Sequence, residues 1–77
     1  AKLSSLFEER DSLIEDVVEG SAAVSQWMDS MSVNSFEGLI ESEKLLISLL
    51  SKKKALTKKE KKILDLAKQI LGFLKKG

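Results

Sequence analysis

The stretch Leu45-Leu46-Ile47-Ser48-Leu49-Leu50 lies in the most apolar segment of the chain, residues 36–51. At about 100° per residue, large apolar side chains of this segment share one broad helical face. They are Phe36, Leu39, Ile40, Leu46, Ile47 and Leu50. Leu45 and Leu49 lie outside that face and widen the apolar arc beyond half of the circumference. Because a helix that covers one side of a core needs a narrower arc, the pattern predicts neighbours on two sides.

The length and composition of the chain limit how it can be stabilised. With 77 residues it is a single domain, 1–77, near the lower limit at which a hydrophobic core alone keeps a chain folded. The sequence contains no Cys and no His, so neither disulfides nor an ordinary zinc site can stabilise it. The absence of Pro favours helix throughout. We therefore expect that helix packing supplies the stability.

Capping residues and helical periodicity divide the chain into four predicted helices, at about residues 5–19, 22–31, 35–52 and 58–75. Between the first two, Gly20 suits a left-handed helix end and Ser21 suits the N-cap of the next helix. The apolar spacing of the first helix also continues across Gly20. We therefore predict an all-α bundle of four helices. The alternative is a bundle of three helices, the first long and kinked at Gly20.

Three residue pairs have the spacing of a capping box, in which an N-cap side chain and a Glu three residues later each satisfy a free backbone amide. These pairs are Ser5 with Glu8, Asn34 with Glu37, and Thr57 with Glu60. The third pair opens the most clearly amphipathic helix of the chain. In the first helix, Arg10 lies within the apolar stripe. We expect its stem to pack on apolar surface while its guanidinium reaches water.

The charges are divided unevenly along the chain. Residues 1–51 carry three basic and ten acidic side chains, a net charge of −7, whereas residues 52–77 carry ten Lys and two acids, a net charge of +8. Such asymmetry can indicate a nucleic-acid or membrane contact. We favour the interpretation that an acidic helix lies beside a basic one in the same bundle. The Lys side chains would then balance an acidic ridge formed by Glu8, Asp11, Glu15 and Glu19.

The chain lacks the residue types that carry most catalysis. Without His, Cys or Tyr, the usual general bases and activated nucleophiles are missing. Acids one turn apart, such as Glu15 with Glu19 and Glu37 with Glu41, could in principle bind a divalent cation, but the His residues of a helical di-metal site are absent. We expect these acids on solvated faces, and predict no catalytic residue, no metal and no cofactor.

The preferred functional prediction is a small, non-enzymatic helical module that binds another protein or a second copy of itself. Its first basis is the wide apolar arc at Leu45 and Leu49. Its second basis is the group Trp27, Met28 and Met31, for which we expect exposure because Met beside Trp is common at partner surfaces. In the alternative interpretation, all of these side chains belong to the core.

The second functional prediction is a contact with a membrane surface. The last helix is half apolar and half cationic, as in peptides that lie in a membrane interface. The residues that would contact lipid or phosphate are Lys52, Lys53, Lys54, Lys58, Lys61, Lys62, Lys68, Phe73, Lys75 and Lys76. A helix packed in the bundle has the same pattern, and in that case Ile63, Leu66, Ile70 and Leu74 are buried.

A third and less favoured prediction is non-specific nucleic-acid binding through the same Lys residues. Residues 56–64, Leu-Thr-Lys-Lys-Glu-Lys-Lys-Ile-Leu, resemble the opening helix of some helix-turn-helix regulators. That family needs two further helices after this one, including the recognition helix. In this chain, residues 56–64 open the last predicted helix. Because base readout relies on Arg, Asn and Gln and the chain has a single Arg, its Lys residues would bind phosphates without reading sequence.

The sequence also bears on the compartment. No apolar run is long enough to span a bilayer, and no signal-peptide pattern opens the chain. We therefore expect a soluble protein, with the cytoplasm slightly favoured. Because the chain begins with Ala1 rather than Met, the sequence does not decide whether a targeting segment was removed before Ala1.

Overall fold

The computed structural model describes residues 2–30 and 35–76, and α-helices account for all regular secondary structure within them. The helices are α1 (Lys2–Val17), α2 (Ala22–Ser30), α3 (Phe36–Ser51) and α4 (Lys58–Lys76). The predicted all-α bundle of four helices is confirmed. The predicted bounds agree closely, except that α1 begins and ends two to three residues earlier than expected.

A turn at residues 18–20 separates α1 from α2, so the alternative with one long kinked helix is wrong. The Gly20 amide donates to the Val17 carbonyl at 2.9 Å, which closes the turn. Ser21 is the N-cap of α2, as predicted, and its Oγ accepts from the Val24 amide at 3.3 Å. Gly20 does not adopt a positive φ, so the predicted left-handed cap is wrong.

The other N-termini also show where capping patterns mislead. Because α1 begins at Lys2, Ser5 lies inside the helix and does not cap it. The N-cap of α3 is Ser35, whose Oγ accepts from the Gly38 amide at 3.1 Å. The sequence placed this cap one residue earlier, at Asn34, which lies outside the described residues. Both polar residues suit the N-cap, and pattern alone cannot choose between neighbours.

The helices pack in the spatial order α1, α4, α3, α2. Helix α3 lies between α2 and α4, which confirms the prediction that its wide apolar arc has neighbours on two sides. Helix α4 likewise lies between α1 and α3. In contrast, α1 and α2 pack little against each other. The bundle is therefore open along one side, between its first two helices.

Ion pairs connect the acidic α1 to the basic α4, as the charge division predicted. Lys62 Nζ lies 3.2 Å from Glu9 Oε1, and Lys59 Nζ lies 3.4 Å from Asp16 Oδ2. These positions show that the two helices run antiparallel. The acids that pair are not those of the predicted ridge, because the face of α1 toward α4 carries Glu9 and Asp16 instead. Exposed pairs of this kind contribute roughly 0–1 kcal/mol each.

Two groups of buried apolar side chains form the core. The first joins all four helices and consists of Ile14, Ala23, Val24, Trp27, Leu46, Leu50, Ile63 and Ala67. The second joins α1 to α4 and consists of Leu6, Leu66, Ile70 and Leu74. The apolar side of α4 is thus buried in the bundle, as the bundle interpretation of that helix predicted.

The carboxylate of Glu60 joins three segments at one end of the bundle. The predicted capping box is confirmed, because the Thr57 amide donates to Glu60 Oε1 at 3.1 Å and the Glu60 amide donates to Thr57 Oγ1 at 3.2 Å. In addition, Glu60 Oε2 accepts from Ser21 Oγ at 2.7 Å and from Lys53 Nζ at 2.6 Å. One buried carboxylate therefore connects the N-cap of α2, the loop after α3 and the start of α4.

These contacts control the pKa of Glu60. Burial by itself would raise the pKa, because it disfavours the charged form. The hydrogen bonds from Lys53, Ser21 and the Thr57 amide, together with the charge of Lys53, outweigh burial and lower the pKa from 4.5 to about 2. The folded protein therefore favours the ionised carboxylate more strongly than the unfolded chain does.

Leu46 is fully buried in the first core group, so Leu46→Ala should leave a cavity. We expect a loss of about 2–5 kcal/mol in the free energy of unfolding, measured by urea denaturation with circular dichroism. Met28→Ala, at an exposed position of α2, is the matched control and should change it by less than about 0.5 kcal/mol. Equal effects of the two substitutions would show that Leu46 is not central.

A second prediction concerns the dependence of stability on pH. Because the pKa of Glu60 is depressed on folding, its contribution is present above about pH 4.5 and is lost as the pH falls toward about 2. Glu60→Gln should therefore lower the free energy of unfolding at pH 7 by on the order of 3 kcal/mol. The difference between wild type and variant should shrink as the pH falls through that window.

The control for this experiment is Asp65→Asn, at an exposed carboxylate of α4. We expect its small effect to vary little with pH. If Glu60→Gln were as stable as the wild type at pH 7, the three contacts to the carboxylate would not stabilise the fold.

Candidate functional site

Arg10 lies at the centre of the side of the bundle where α1 and α2 diverge. It is 5% exposed, so the expectation that its guanidinium reaches water is wrong. Its Nη1 donates to Oε1 of Glu43 in α3. Its Nε and Nη2 donate to Asp11 Oδ1 at 3.2 and 2.9 Å. The guanidinium is therefore held by carboxylates instead of by solvent.

Two aromatic rings contact the same guanidinium. The Cζ atom of Arg10 lies 5.1 Å from the ring centroid of Phe7 in α1 and 5.3 Å from that of Trp27 in α2. A guanidinium is planar and weakly hydrated, which suits it to a site between aromatic rings and a buried carboxylate. Through Trp27 and Glu43, Arg10 connects α1 to two helices against whose backbones α1 packs little.

Glu43 is the buried partner of this pair. It is 0% exposed, so the expectation that acids occupy solvated faces fails at this position. Its Oε2 atom has no hydrogen-bond partner in the part of the chain that the structure describes. Since a buried carboxylate without a cation is strongly unfavourable, the side chain depends on Arg10.

The sequence contained a signal for this pair. Arg10 lies on the apolar stripe of α1, and Glu43 lies on the apolar face of α3, four residues after Leu39 and three before Leu46. A single cation and a single anion on two faces that both point into a core have a strong reason to meet. The prediction of solvated acids overlooks this signal, because it treats Glu43 like the acids of the surface.

The outcome differs for each residue of the predicted partner group Trp27, Met28 and Met31. Trp27 is 2% exposed, and its Nε1 donates to the Ser42 carbonyl at 2.7 Å, so its expected exposure is wrong. The indole is buried because a main-chain carbonyl of α3 satisfies its polar atom. Met28 is 45% exposed, as expected. Met31 lies outside the described residues.

Leu45 and Leu49, the other predicted contacts, are half-buried and pack against the first core group. The wide apolar arc of α3 is thus explained by its position between α2 and α4. These two side chains leave little surface for a partner.

A groove lies between α1 and α2, next to the Arg10 site. Its volume is about 310 Å³. The residues that line it are Arg10, Asp11, Ile14, Glu15, Trp27 and Met28. The groove exists because these two helices diverge, and because Arg10 crosses the gap as a side chain while the backbones stay apart.

The groove has an apolar lining and a negative rim. Arg10 carries one positive charge and pairs with both Glu43 and Asp11, so these residues together with Glu15 keep a net negative charge. Asp11 and Glu15 are both exposed. Glu8 on α1 and Glu19 in the turn after it are also exposed, so the ridge predicted from sequence extends along this side of the bundle. We call the six lining residues the acidic groove. Its charge favours a cationic occupant.

The predicted lipid or phosphate contacts are mostly exposed cations. Lys53 pairs with Glu60 and Lys62 with Glu9. The remaining Lys residues of that set are exposed: Lys52, Lys54, Lys58, Lys61, Lys68, Lys75 and Lys76. Phe73 is 40% exposed, and Lys2 Nζ lies 6.0 Å from its ring centroid.

Within residues 2–30 and 35–76, no helix combines the length and the apolar character that crossing a bilayer requires. No group of three or more acidic side chains in that part of the chain could hold a metal ion.

The Arg10–Glu43 pair gives a third prediction. Arg10→Met should lower the free energy of unfolding by about 3–5 kcal/mol, because it leaves a buried carboxylate without its cation. The double variant Arg10→Met/Glu43→Met should recover much of that loss, since neither charge remains. Urea denaturation, followed by circular dichroism, measures both effects.

Lys59→Met is the matched control, because it removes a cation from an exposed pair with Asp16. Its effect should stay below about 1 kcal/mol. Equal losses for Arg10→Met and Lys59→Met would contradict the importance of the buried pair.

Comparisons of the chain with protein families, with curated proteins and with solved structures find no match.

Proposed function

We propose that this chain is a non-enzymatic helical interaction module that binds a cationic, amphipathic segment of a protein in the acidic groove. The observation that carries the proposal is the combination of an apolar lining and an acidic rim in one groove on the open side of the bundle. A helical segment with an apolar anchor and neighbouring Lys or Arg residues would match both features.

The apolar part of the groove supports this choice of occupant. Ile14 and Trp27 are nearly buried, whereas Met28 is exposed. Trp is common at the energetic centres of protein interfaces, and Met adapts its shape to different partners. The volume lies at the lower end of the range for ligand sites, about 300–1,000 Å³, which suits one or two side chains better than a large cofactor.

The charges support the same class of partner. Asp11 and Glu15 lie at the groove and are exposed, so a cation that approaches them keeps contact with solvent and loses little hydration. Rim charges of this kind increase the association rate and exclude acidic partners more than they increase affinity. We therefore expect binding that weakens as salt concentration rises.

Membrane docking through α4 has less support. The apolar side chains that would enter lipid, including Ile63 and Ile70, are fully buried in the core. The bundle would have to open before they could leave it. Nucleic-acid binding has less support for another reason, because two of the Lys residues that would contact phosphate, Lys53 and Lys62, pair with acids of the chain itself.

The experiment is a titration of the protein with a synthetic helical peptide of Leu, Phe and Lys, followed by the emission of Trp27, the only Trp. A peptide with Glu in place of Lys is the control ligand. We expect the cationic peptide to shift the emission and the acidic peptide to have no effect. Glu15→Lys, which leaves the pair of Asp11 with Arg10 intact, should weaken binding roughly tenfold, equivalent to about 1.4 kcal/mol.

The matched protein control is Asp65→Lys, which changes the net charge equally at an exposed position of α4. This variant should bind nearly as well as the wild type. If both variants weakened binding equally, attraction would be a property of net charge and the groove would not be the site.

A further inference from the structure

We infer that the acidic groove of one copy of this chain binds the C-terminal part of α4 of a second copy, with Phe73 as the anchor. This inference rests on the proposed function and names its occupant. The required occupant has an exposed apolar anchor among cations on a rigid helix. The chain itself carries such a segment: Phe73 is 40% exposed on α4, and Lys75 and Lys76 beside it are exposed.

Phe73 cannot reach the groove of its own copy. Its neighbours Ile70 and Leu74 are buried in the second core group, which fixes the helix in the bundle. Helix α4 packs against α1 and α3, whereas the groove opens between α1 and α2. The anchor and the groove are therefore separate surfaces of one rigid body, and only another molecule can bring them together.

Gly72 independently supports a contact with another molecule beside Phe73. A glycine within a helix is unfavourable by about 1 kcal/mol relative to Ala. A Cβ atom added at Gly72 would meet nothing within 4 Å, so packing within the chain does not require a glycine there. Gly72 lines a shallow depression together with Gln69, Phe73 and Lys76. The missing side chain beside an exposed Phe lets an external surface approach the helix closely.

The charge distribution favours contact between unlike faces of two copies. The first 51 residues have a net charge of −7 and the last 26 have +8, while the whole chain has only +1. Copies therefore repel each other weakly overall, and the acidic side of one attracts the basic side of the next. Because groove and anchor differ, the contact is heterologous, and further copies can add head to tail.

The experiment is sedimentation velocity over a concentration series at low and at physiological salt. The groove variant is Glu15→Lys and the anchor variant is Phe73→Gln, both at exposed positions. We expect the wild type to exceed the monomer mass at high concentration, and each variant alone to associate at least about tenfold more weakly. Salt should weaken the association of the wild type.

The decisive measurement is the sedimentation of a mixture of the two variants. The groove variant keeps an intact anchor, and the anchor variant keeps an intact groove. An equimolar mixture should therefore form a dimer that cannot grow, because its two remaining faces are both defective. A mixture that stays monomeric, or an anchor variant that associates like the wild type, would overturn the inference.

Gly72→Ala separates association from folding. It should raise the thermal midpoint, because Ala favours helix, and should nevertheless weaken association by filling the space beside Phe73. Unchanged association would overturn the role of Gly72 in the contact. If the wild type stays monomeric while the synthetic cationic peptide still binds, this inference fails and the proposed function stands. If the wild type stays monomeric and the synthetic peptide does not bind, this inference and the proposed function both fail.

Discussion

The ion pair between Arg10 and Glu43 is the interaction on which the closure of the bundle depends. Helix α1 packs closely against α4 only, and its connection to α2 and α3 includes this one long side chain. The guanidinium lies between the rings of Phe7 and Trp27 and donates to a carboxylate that is 0% exposed. Such a pair is a weak source of net stability, yet either charge alone in the core would be strongly unfavourable. The pair therefore favours the packing in which the two charges meet over packings that separate them. Arg10 also lines the acidic groove between α1 and α2.

A second buried acid has the corresponding role at one end of the bundle. Glu60 begins as a local feature, the partner of Thr57 in a capping box, and its second oxygen is used by Ser21 and Lys53 from other segments. Three donors, one of which is the cation of Lys53, stabilise its ionised form, whereas Glu43 has an oxygen without a partner among the described residues. The two acids show two ways to bury a carboxylate in a chain without His or Cys. One is satisfied by several donors, and the other depends on a single cation.

The division of charge along the chain connects fold to function. Glu9 and Asp16 on one side of α1 pair with Lys residues of α4, while Asp11 and Glu15 lie at the groove on another side. The same helix can therefore attach to the basic part of its own bundle and present acids to a partner. Lys75, Lys76 and Phe73 on α4 have the complementary character. These two surfaces have the features that the proposed contact between copies requires.

The sequence by itself determined the number, type and approximate bounds of the helices, the buried side of α4 and the capping box of Thr57 and Glu60. Periodicity and capping are local properties, so residues within one or two turns contain the information. The tertiary structure alone decided the remaining features. The partner of Arg10 lies 33 residues away and the Ser21 partner of Glu60 lies 39 away, and which side chains meet over such separations depends on how whole helices pack. Trp27 shows the reason most clearly. Its spacing is equally consistent with a surface and a core position, and its burial is possible because the Ser42 carbonyl of another helix accepts a hydrogen bond from its Nε1.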